Sequence, residues 1–496
     1  MHVGSVLVFE GPSTSIDELL AHVESRLHLV PRYRQRLAFP PFGAGRPRWV
    51  DDAHFNLSYH VRHSALPEPG GDEELRRLAG RLFSQALDRA KPLWELWLVD
   101  GVGDGFALIA KTHHALVDGI SGVDIATVLF DLEREPAPPL EMPAKWSPRP
   151  EPGRAVLFAD ALVERAEGPA SLARALRDAL VHPERAGAEA GRALSGLAAL
   201  AAAGVAGAPG SPINVRIGPH RRFAWASADL SRLKAAKDAL GGTVNDVVLT
   251  VVAGALRAHL FRRGRDPERL ELKAMVPISV RADAERGALG NKVAAMWASL
   301  PVWSEDPVET FALVHAEMGE LKESGQAVGA TVLTGLSDFA PPTIMSQAAR
   351  LQSRLRFINL VVTNVPGPQY PLYLLGRRMV ATEPMVPLAE NLALGIAIMS
   401  YDGKLFFGLN GDYEAMADIA YLASDLRVAI ATLAEAAGLP SEEEEQARRA
   451  AAATAPAPTP ELEPASDAPP MAFSMPRSRP GTRSPRRDAG RARRST

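Results

Sequence analysis

A run of apolar residues, Phe106-Ala107-Leu108-Ile109-Ala110, leads into the heptapeptide His113-His114-Ala115-Leu116-Val117-Asp118-Gly119, and no other stretch constrains the fold as strongly. The run is short for a helix and reads as a buried strand closed by a sharp turn. Successive strand residues point to opposite faces, so one histidine is expected to face a cavity and the other to pack inward. Imidazole is the side chain best matched to taking a proton near neutral pH. Asp118 can brace the turn or a nearby cation, and Gly119 permits backbone angles that a side chain would forbid. Ile120 to Leu132 is apolar at helical spacing, which sets the motif between strand and helix, where catalytic groups often sit. A metal site is a poor rival: histidines on opposite faces chelate badly, and no H-E-x-x-H helix or cysteine cluster completes the set. A pair of purely structural histidines is the plainer alternative.

The surrounding pattern is mixed. Val3 to Phe9 reads as a strand, and Ile16 to His28 as a helix opened by Ser15 with Glu18 at the capping-box position. Glu73 to Asp88 is amphipathic. Trp94 to Asp100 and Phe106 to Thr112 read as a hairpin about Gly101–Gly105. Proline crowds residues 134–152, alanine-rich helices follow to about 206, and Pro209-Gly210-Ser211-Pro212 closes that region. Beyond it, helices are predicted at Leu230–Leu240 and Asn245–Phe261. Strands are predicted at Leu270–Pro277, Ala294–Leu300, Leu360–Thr363, Leu392–Ser400 and Lys404–Leu409. The expected division is a first α+β domain over 1–140, a Pro/Ala-rich linker with helices over 141–212, a second domain over 213–439, and a tail over 440–496. Residues 477–494 hold eight arginines against one aspartate. Such a segment buries too little apolar surface to offset chain entropy, so the tail is expected to be disordered, with a basic end able to meet phospholipid headgroups.

Composition narrows the function classes. Hydrophobic residues make up 46% of the 496 and charged residues 23%, enough for ample cores. A net charge of -3 gives no general attraction to nucleic acid, and none is expected as a partner. The absence of cysteine excludes disulfides and thiol catalysis and suits a cytoplasmic protein. The N-terminus carries no basic region of a secretory signal. The apolar stretch 194–208, mostly alanine and glycine, falls short of the roughly 20 residues that a spanning helix needs.

HHxxxDG is the signature of the superfamily of chloramphenicol acetyltransferase, carnitine acyltransferase and peptide condensation enzymes. Here it follows Lys91-Pro92-Leu93-Trp94-Glu95-Leu96-Trp97 and precedes Asn245-Asp246-Val247-Val248-Leu249, Met275-Val276-Pro277-Ile278-Ser279-Val280-Arg281, Gly290-Asn291-Lys292 and Asn364-Val365-Pro366-Gly367-Pro368. That ordered set resembles the bacterial wax ester synthase/acyl-CoA:diacylglycerol acyltransferase family over about residues 1 to 435. The resemblance implies an α+β fold of two chloramphenicol-acetyltransferase-like domains with a tunnel at their interface. It also implies O-acyl transfer from acyl-CoA to diacylglycerol or a fatty alcohol, without a cofactor, at a membrane face or on lipid inclusions.

Within that resemblance His114 is the general base and His113 its support, Asp118 braces the loop and Gly119 makes the turn. Asn245, Thr363 and Asn364 are candidates to bind substrate or stabilise an oxyanion. Each has a structural alternative: Asn245 and Asp246 stand where a helix starts and either can cap it, while Asn364 to Pro368 reads as a rigid turn after a strand. Trp94 and Trp97 are expected as packing residues on alternate faces. Relatives generally carry a further element ahead of the Met1-His2-Val3-Gly4 stretch, so the first strand is expected to leave some apolar surface uncovered. The rival functions are condensation on carrier-bound acyl groups and a lipid-binding protein of the same fold without catalysis.

Overall fold

Ser15 opens the first helix, α1 (Ile16–Arg26), by a complete capping box: its hydroxyl accepts from the Glu18 amide, and the Glu18 carboxylate accepts from the Ser15 amide. Before it lies β1 (His2–Phe9), and after it a small hairpin, β2 (Gln35–Ala38) with β3 (Arg48–Asp51). The computed structural model describes residues 1–117, 128–135, 146–164, 177, 207–268, 270–279, 293–323, 357–441 and 443–444. The short α2 (Leu57–His60) and β4 (Val61–Ala65), unforeseen in the sequence, lead to α3 (Asp72–Ser84). The predicted hairpin follows as β5 (Trp94–Val102) and β6 (Gly105–His113), and one helical turn, α4 (His114–Val117), closes this stretch.

The second half opens with β7 (Arg221–Asp229), α5 (Leu230–Leu240) and α6 (Val244–Arg262), followed by β8 (Leu272–Ser279), β9 (Val293–Leu300) and α7 (Pro307–Glu323). Then come β10 (Leu360–Pro366), β11 (Tyr373–Leu374), β12 (Arg377–Met385), β13 (Leu394–Tyr401), β14 (Lys404–Asp412) and α8 (Ile419–Ala436). By length and mean hydropathy α6 could cross a bilayer, but Val247–Ala253 lie in the core between the second sheet and its helices.

Two six-stranded sheets organise the chain, β11-β12-β1-β6-β5-β4 and β7-β14-β13-β10-β8-β9. The first sheet departs from the expected division at residue 213, because β11 and β12 come from the second half. β12 lies antiparallel to β1 from Gly4↔Met385 to Phe9↔Met379. Backbone pairing of this kind leaves no separable first domain, and Met1–Glu444 forms one compact unit.

Both faces of the first sheet are covered, which is why β6 reads as continuously apolar. Phe106 and Leu108 pack with α1, Trp94, Tyr401 and Phe406, whereas Ala107 and Ile109 pack with α3, Phe223 and Trp225. Trp94 and Trp97 take opposite faces as expected.

Residues 146–164, expected as linker, are docked instead. Arg149 binds Asp51 through its amide and guanidinium, holding that carboxyl well below the usual carboxylate range, and Leu157 packs on Ala38 and Val50. The tail from 445 onward lies outside the described residues.

Candidate active site

The histidine pair stands where β6 changes from strand to helix, and its backbone is tied on both sides. The His113 amide donates to the Leu93 carbonyl at 2.9 Å, and the His114 amide to the Met1 carbonyl at 3.1 Å. Leu93 belongs to the Lys91-Pro92-Leu93-Trp94 segment, so that segment sets the height of the histidines. It is itself fixed by packing. Trp94 donates its indole N–H to the Tyr33 carbonyl at 2.8 Å and stacks on the His60 ring, which bonds back to the Trp94 carbonyl through Nδ1 at 2.8 Å.

His113 continues the α3-side face of the strand. Its Nδ1 accepts from the Ala115 amide at 3.2 Å, which places any ring proton of the neutral form on Nε2. Burial first, and then neighbouring positive charge that includes Arg89, pushes its pKa below the ordinary value, so His113 is neutral at physiological pH. His2, opposite it in the β1–β6 ladder, meets its ring edge-on at 5.9 Å between centroids. Burial pulls the His2 pKa down to about 3. The expectation that one histidine packs fully inward is corrected: His113 and His114 are both half-buried. Strand alternation stops at His114, where the helical turn begins, so the second ring is not carried through the sheet.

Lys111, two residues earlier on the same face, is a buried cation. Its ammonium donates to the Leu82 and Gln85 carbonyls at 2.9 and 3.1 Å and lies 3.2 Å from Glu95, which also faces Arg62 at 3.6 Å. Lys111 therefore ties the α3 C-terminus to the histidine strand. Its one sequence signal is a lysine inside an apolar strand. His2 gives none, since only strand pairing brings it to the site.

Asp118 and Gly119 lie outside the described residues. Asn245 is in the first turn of α6 and half-buried, but it does not cap the helix. Thr243 is the cap, accepting from the Asp246 amide at 3.2 Å while Asp246 accepts from the Thr243 amide at 2.9 Å. A hydroxyl with a carboxylate three residues on completes a reciprocal box, which Asn245 could not. Asn364 and Thr363 lie on β10 in the second sheet. The strand runs on through Pro366, past the expected turn, because parallel pairing holds Asn364↔Ile398 and Pro366↔Ser400.

Family comparison decides what this framework is. Residues 1–248 match the model of the wax ester synthase/diacylglycerol acyltransferase catalytic domain, and residues 289–434 that of the WS/DGAT C-terminal domain. The chain belongs to the wax ester synthase/diacylglycerol acyltransferase family. Over 438 residues it is 31% identical to the probable diacyglycerol O-acyltransferase tgs1 of Mycobacterium tuberculosis, covering 87% of this chain and 90% of that one. The probable diacyglycerol O-acyltransferase tgs2 of the same species is 34% identical over 453 residues, covering 88% and 96%.

Among solved structures, the wax ester synthase/diacylglycerol acyltransferase from Marinobacter aquaeolei VT8 superposes with a TM-score of 0.63 at 27% identity, covering 88% of this chain and 95% of that chain. The first condensation domain of the CDA synthetase shares the fold at a TM-score of 0.52 and 16% identity, covering 88% and 91%. The α+β fold class expected from the sequence is thus that of the WS/DGAT family, built here on two six-stranded sheets.

Proposed function

We propose that this protein is an O-acyltransferase that moves a fatty acyl group from acyl-CoA to the hydroxyl of diacylglycerol, with long-chain alcohols as a second acceptor class. The observation that carries the reading is the histidine pair, fixed by backbone bonds to Leu93 and Met1, in a chain aligned over nine-tenths of a probable diacyglycerol O-acyltransferase.

In the mechanism we infer, His114 takes the proton of the acceptor hydroxyl as its oxygen attacks the thioester carbonyl. The tetrahedral intermediate collapses, the C–S bond breaks, and the proton passes to the departing thiolate to give free CoA. No acyl-enzyme forms, in keeping with a chain that has no cysteine. Holding alcohol and thioester together supplies much of the acceleration. His113 supports rather than transfers: its Nδ1 is committed to the Ala115 amide, which holds the turn that presents His114. Asp118 and Gly119 shape that turn in this reading, with Asn245 and Asn364 as substrate-side candidates. Because both substrates are lipids, the protein works at a membrane face or on lipid inclusions.

The test is His114→Ala, expressed as the full chain and assayed with palmitoyl-CoA and either diacylglycerol or hexadecanol. Wild type is expected to form triacylglycerol or wax ester. A folded variant is expected to lose at least a hundredfold in turnover, the low end of what a general base contributes. Wild-type turnover in that variant would remove His114 from its role.

A further inference from the structure

The helix 154–164 is apolar on both faces. Leu157 packs inward on Ala38 and Val50, and Ala161 lies so close to Gly45 that a Cβ there would stand 2.6 Å from the alanine methyl. Ala155, Val156, Ala159, Leu162 and Val163 are exposed on the other side. At the 3.6-residue turn of a helix those five fall within one outward arc of about 120°, and Asp160, Glu164 and Arg154 lie outside it. A surface helix ordinarily turns polar side chains to water, so this face is built for an apolar neighbour.

A loop beside the helix adds two aromatic rings. Phe39 is 56% exposed and Phe42 96%, and Phe42 meets Phe158 of the helix edge-on at 6.3 Å between centroids. The φ of Phe42 is 58°, in the left-handed region that a bulky side chain seldom takes. Strain of this kind persists where the surrounding structure imposes it, and here it aims a phenyl ring into solvent.

Charge frames the patch. A hollow of about 680 Å3 beside Phe39 is lined by Arg36, Arg89 and Arg154 against one carboxylate, Glu151, which pairs with Arg36. Arg89 and Arg154 are exposed and form no ion pair among the described residues. Arg89 is near enough to the histidine pair for its charge to act on His113, which puts the hollow at the histidine end of β6. Apolar side chains with arginines at their rim match the layering of an anionic bilayer, acyl chains beneath phosphates. A second copy docked on the same patch about a two-fold axis would instead turn these arginines toward their own counterparts.

We propose that the loop 39–43 and the outer face of the helix 154–164 dock on an anionic phospholipid bilayer, Phe42 entering the acyl region while Arg89 and Arg154 meet phosphates. The assignment names the partner for the lipid-substrate reading above and rests on it for its purpose, yet it is measured without turnover.

The test mixes the full chain with phosphatidylcholine vesicles, with and without phosphatidylglycerol, and reads binding by co-sedimentation. Phe42→Asp and Val163→Asp are each expected to weaken binding at least tenfold, as loss of one buried apolar side chain implies, with melting temperatures unchanged. Aspartate accepts the left-handed backbone more readily than phenylalanine, so the fold is not threatened at residue 42. Arg154→Glu is expected to weaken binding about fivefold on the phosphatidylglycerol vesicles alone. The chain has no cysteine, so Phe42→Cys can carry a single environment-sensitive fluorophore, whose emission is expected to shift to the blue on vesicles. The same label on Tyr421→Cys, at a residue 60% exposed on α8, is expected not to shift.

A lower melting temperature in both aspartate variants would show that the chain itself covers the patch, and would overturn the proposal. An equal blue shift at both labels would overturn it as well, by showing adsorption without a preferred face. So would self-association that Phe42→Asp dissolves while vesicle binding stays, in favour of a second copy. Vesicle binding that follows these variants, in a protein that transfers no acyl group, would sink the transferase reading and leave the docking face standing. Transfer from palmitoyl-CoA with vesicle binding unchanged in all three variants would do the reverse.

Discussion

Replacing Lys111 by Met is the sharpest perturbation of the framework under the histidines. Methionine keeps the apolar stem and removes the ammonium. At 3.2 Å from Glu95 the Coulomb attraction is about 5 kcal/mol for an effective dielectric constant of 20. Burial of both ions offsets most of that, so the pair itself contributes little net stability. One-sided removal is different, because it leaves Glu95, 7% exposed, with only the Arg62 guanidinium at 3.6 Å as a cation and the Trp97 indole N–H at 3.3 Å, and it takes the ammonium from the Leu82 and Gln85 carbonyls at the α3 C-terminus. Breaking a buried pair costs about 3–5 kcal/mol. The remaining Arg62 contact places the expected loss near the lower end, at about 3 kcal/mol.

The assay is urea unfolding followed by circular dichroism, comparing midpoints at constant slope. Lys111→Met combined with Glu95→Leu is expected to recover much of the loss, because no unpaired charge remains buried. A single-variant cost below about 1 kcal/mol, or a double variant as unstable as the sum of the singles, would refute the reasoning. Activity should fall with the single variant, since the same ammonium anchors α3 to the strand that ends in His113.

Three further outcomes follow from other parts of the molecule. His259 is fully buried, and burial outweighs Asp418 at 3.8 Å to bring its pKa down to about 4. The unfolded chain binds that proton near pH 6.5, so stability present at neutral pH is lost as pH falls from about 6.5 toward 4, on the order of 2 kcal/mol by pH 5. His259→Leu should flatten that slope in urea melts at pH 7 and pH 5, and an unchanged slope would exclude His259 as its source. Gly408→Ala would place a Cβ 1.7 Å from the Pro384 carbonyl, prising β14 from β12; a cost of at least about 2 kcal/mol is expected, and a neutral effect on the urea midpoint would show that β12 is free to shift. Trp94→Phe removes the indole donor to the Tyr33 carbonyl and should cost about 1–3 kcal/mol, with activity falling as Leu93 loses its support; full activity at reduced stability would separate the segment from the site.

Local physics was legible in the sequence wherever a signal closes within a few residues. The Ser15–Glu18 box, the helix Leu230–Leu240 and the β5–β6 hairpin each depend on neighbours in sequence, and each formed where the pattern placed it. The family resemblance was legible too, because its motifs are short and ordered. The roles of Asn245 and Asn364 were not, since residue type alone cannot tell a substrate contact from a helix first turn or a strand ladder.

Tertiary structure alone decided the rest. That β12 leaves the second half to pair with β1 cannot be read from alternation, which gives a strand two edges and names no partner for either. His2 meets His113 only through the β1–β6 register. Lys111 becomes a buried tie only because α3 ends beside β6, and α3 meets β7 only because Gly80 lets the Arg221 backbone come close, where a Cβ would stand 2.9 Å from its carbonyl oxygen. These contacts join residues far apart in the chain, and their stability lies in surface buried between elements. That surface does not exist until the elements meet.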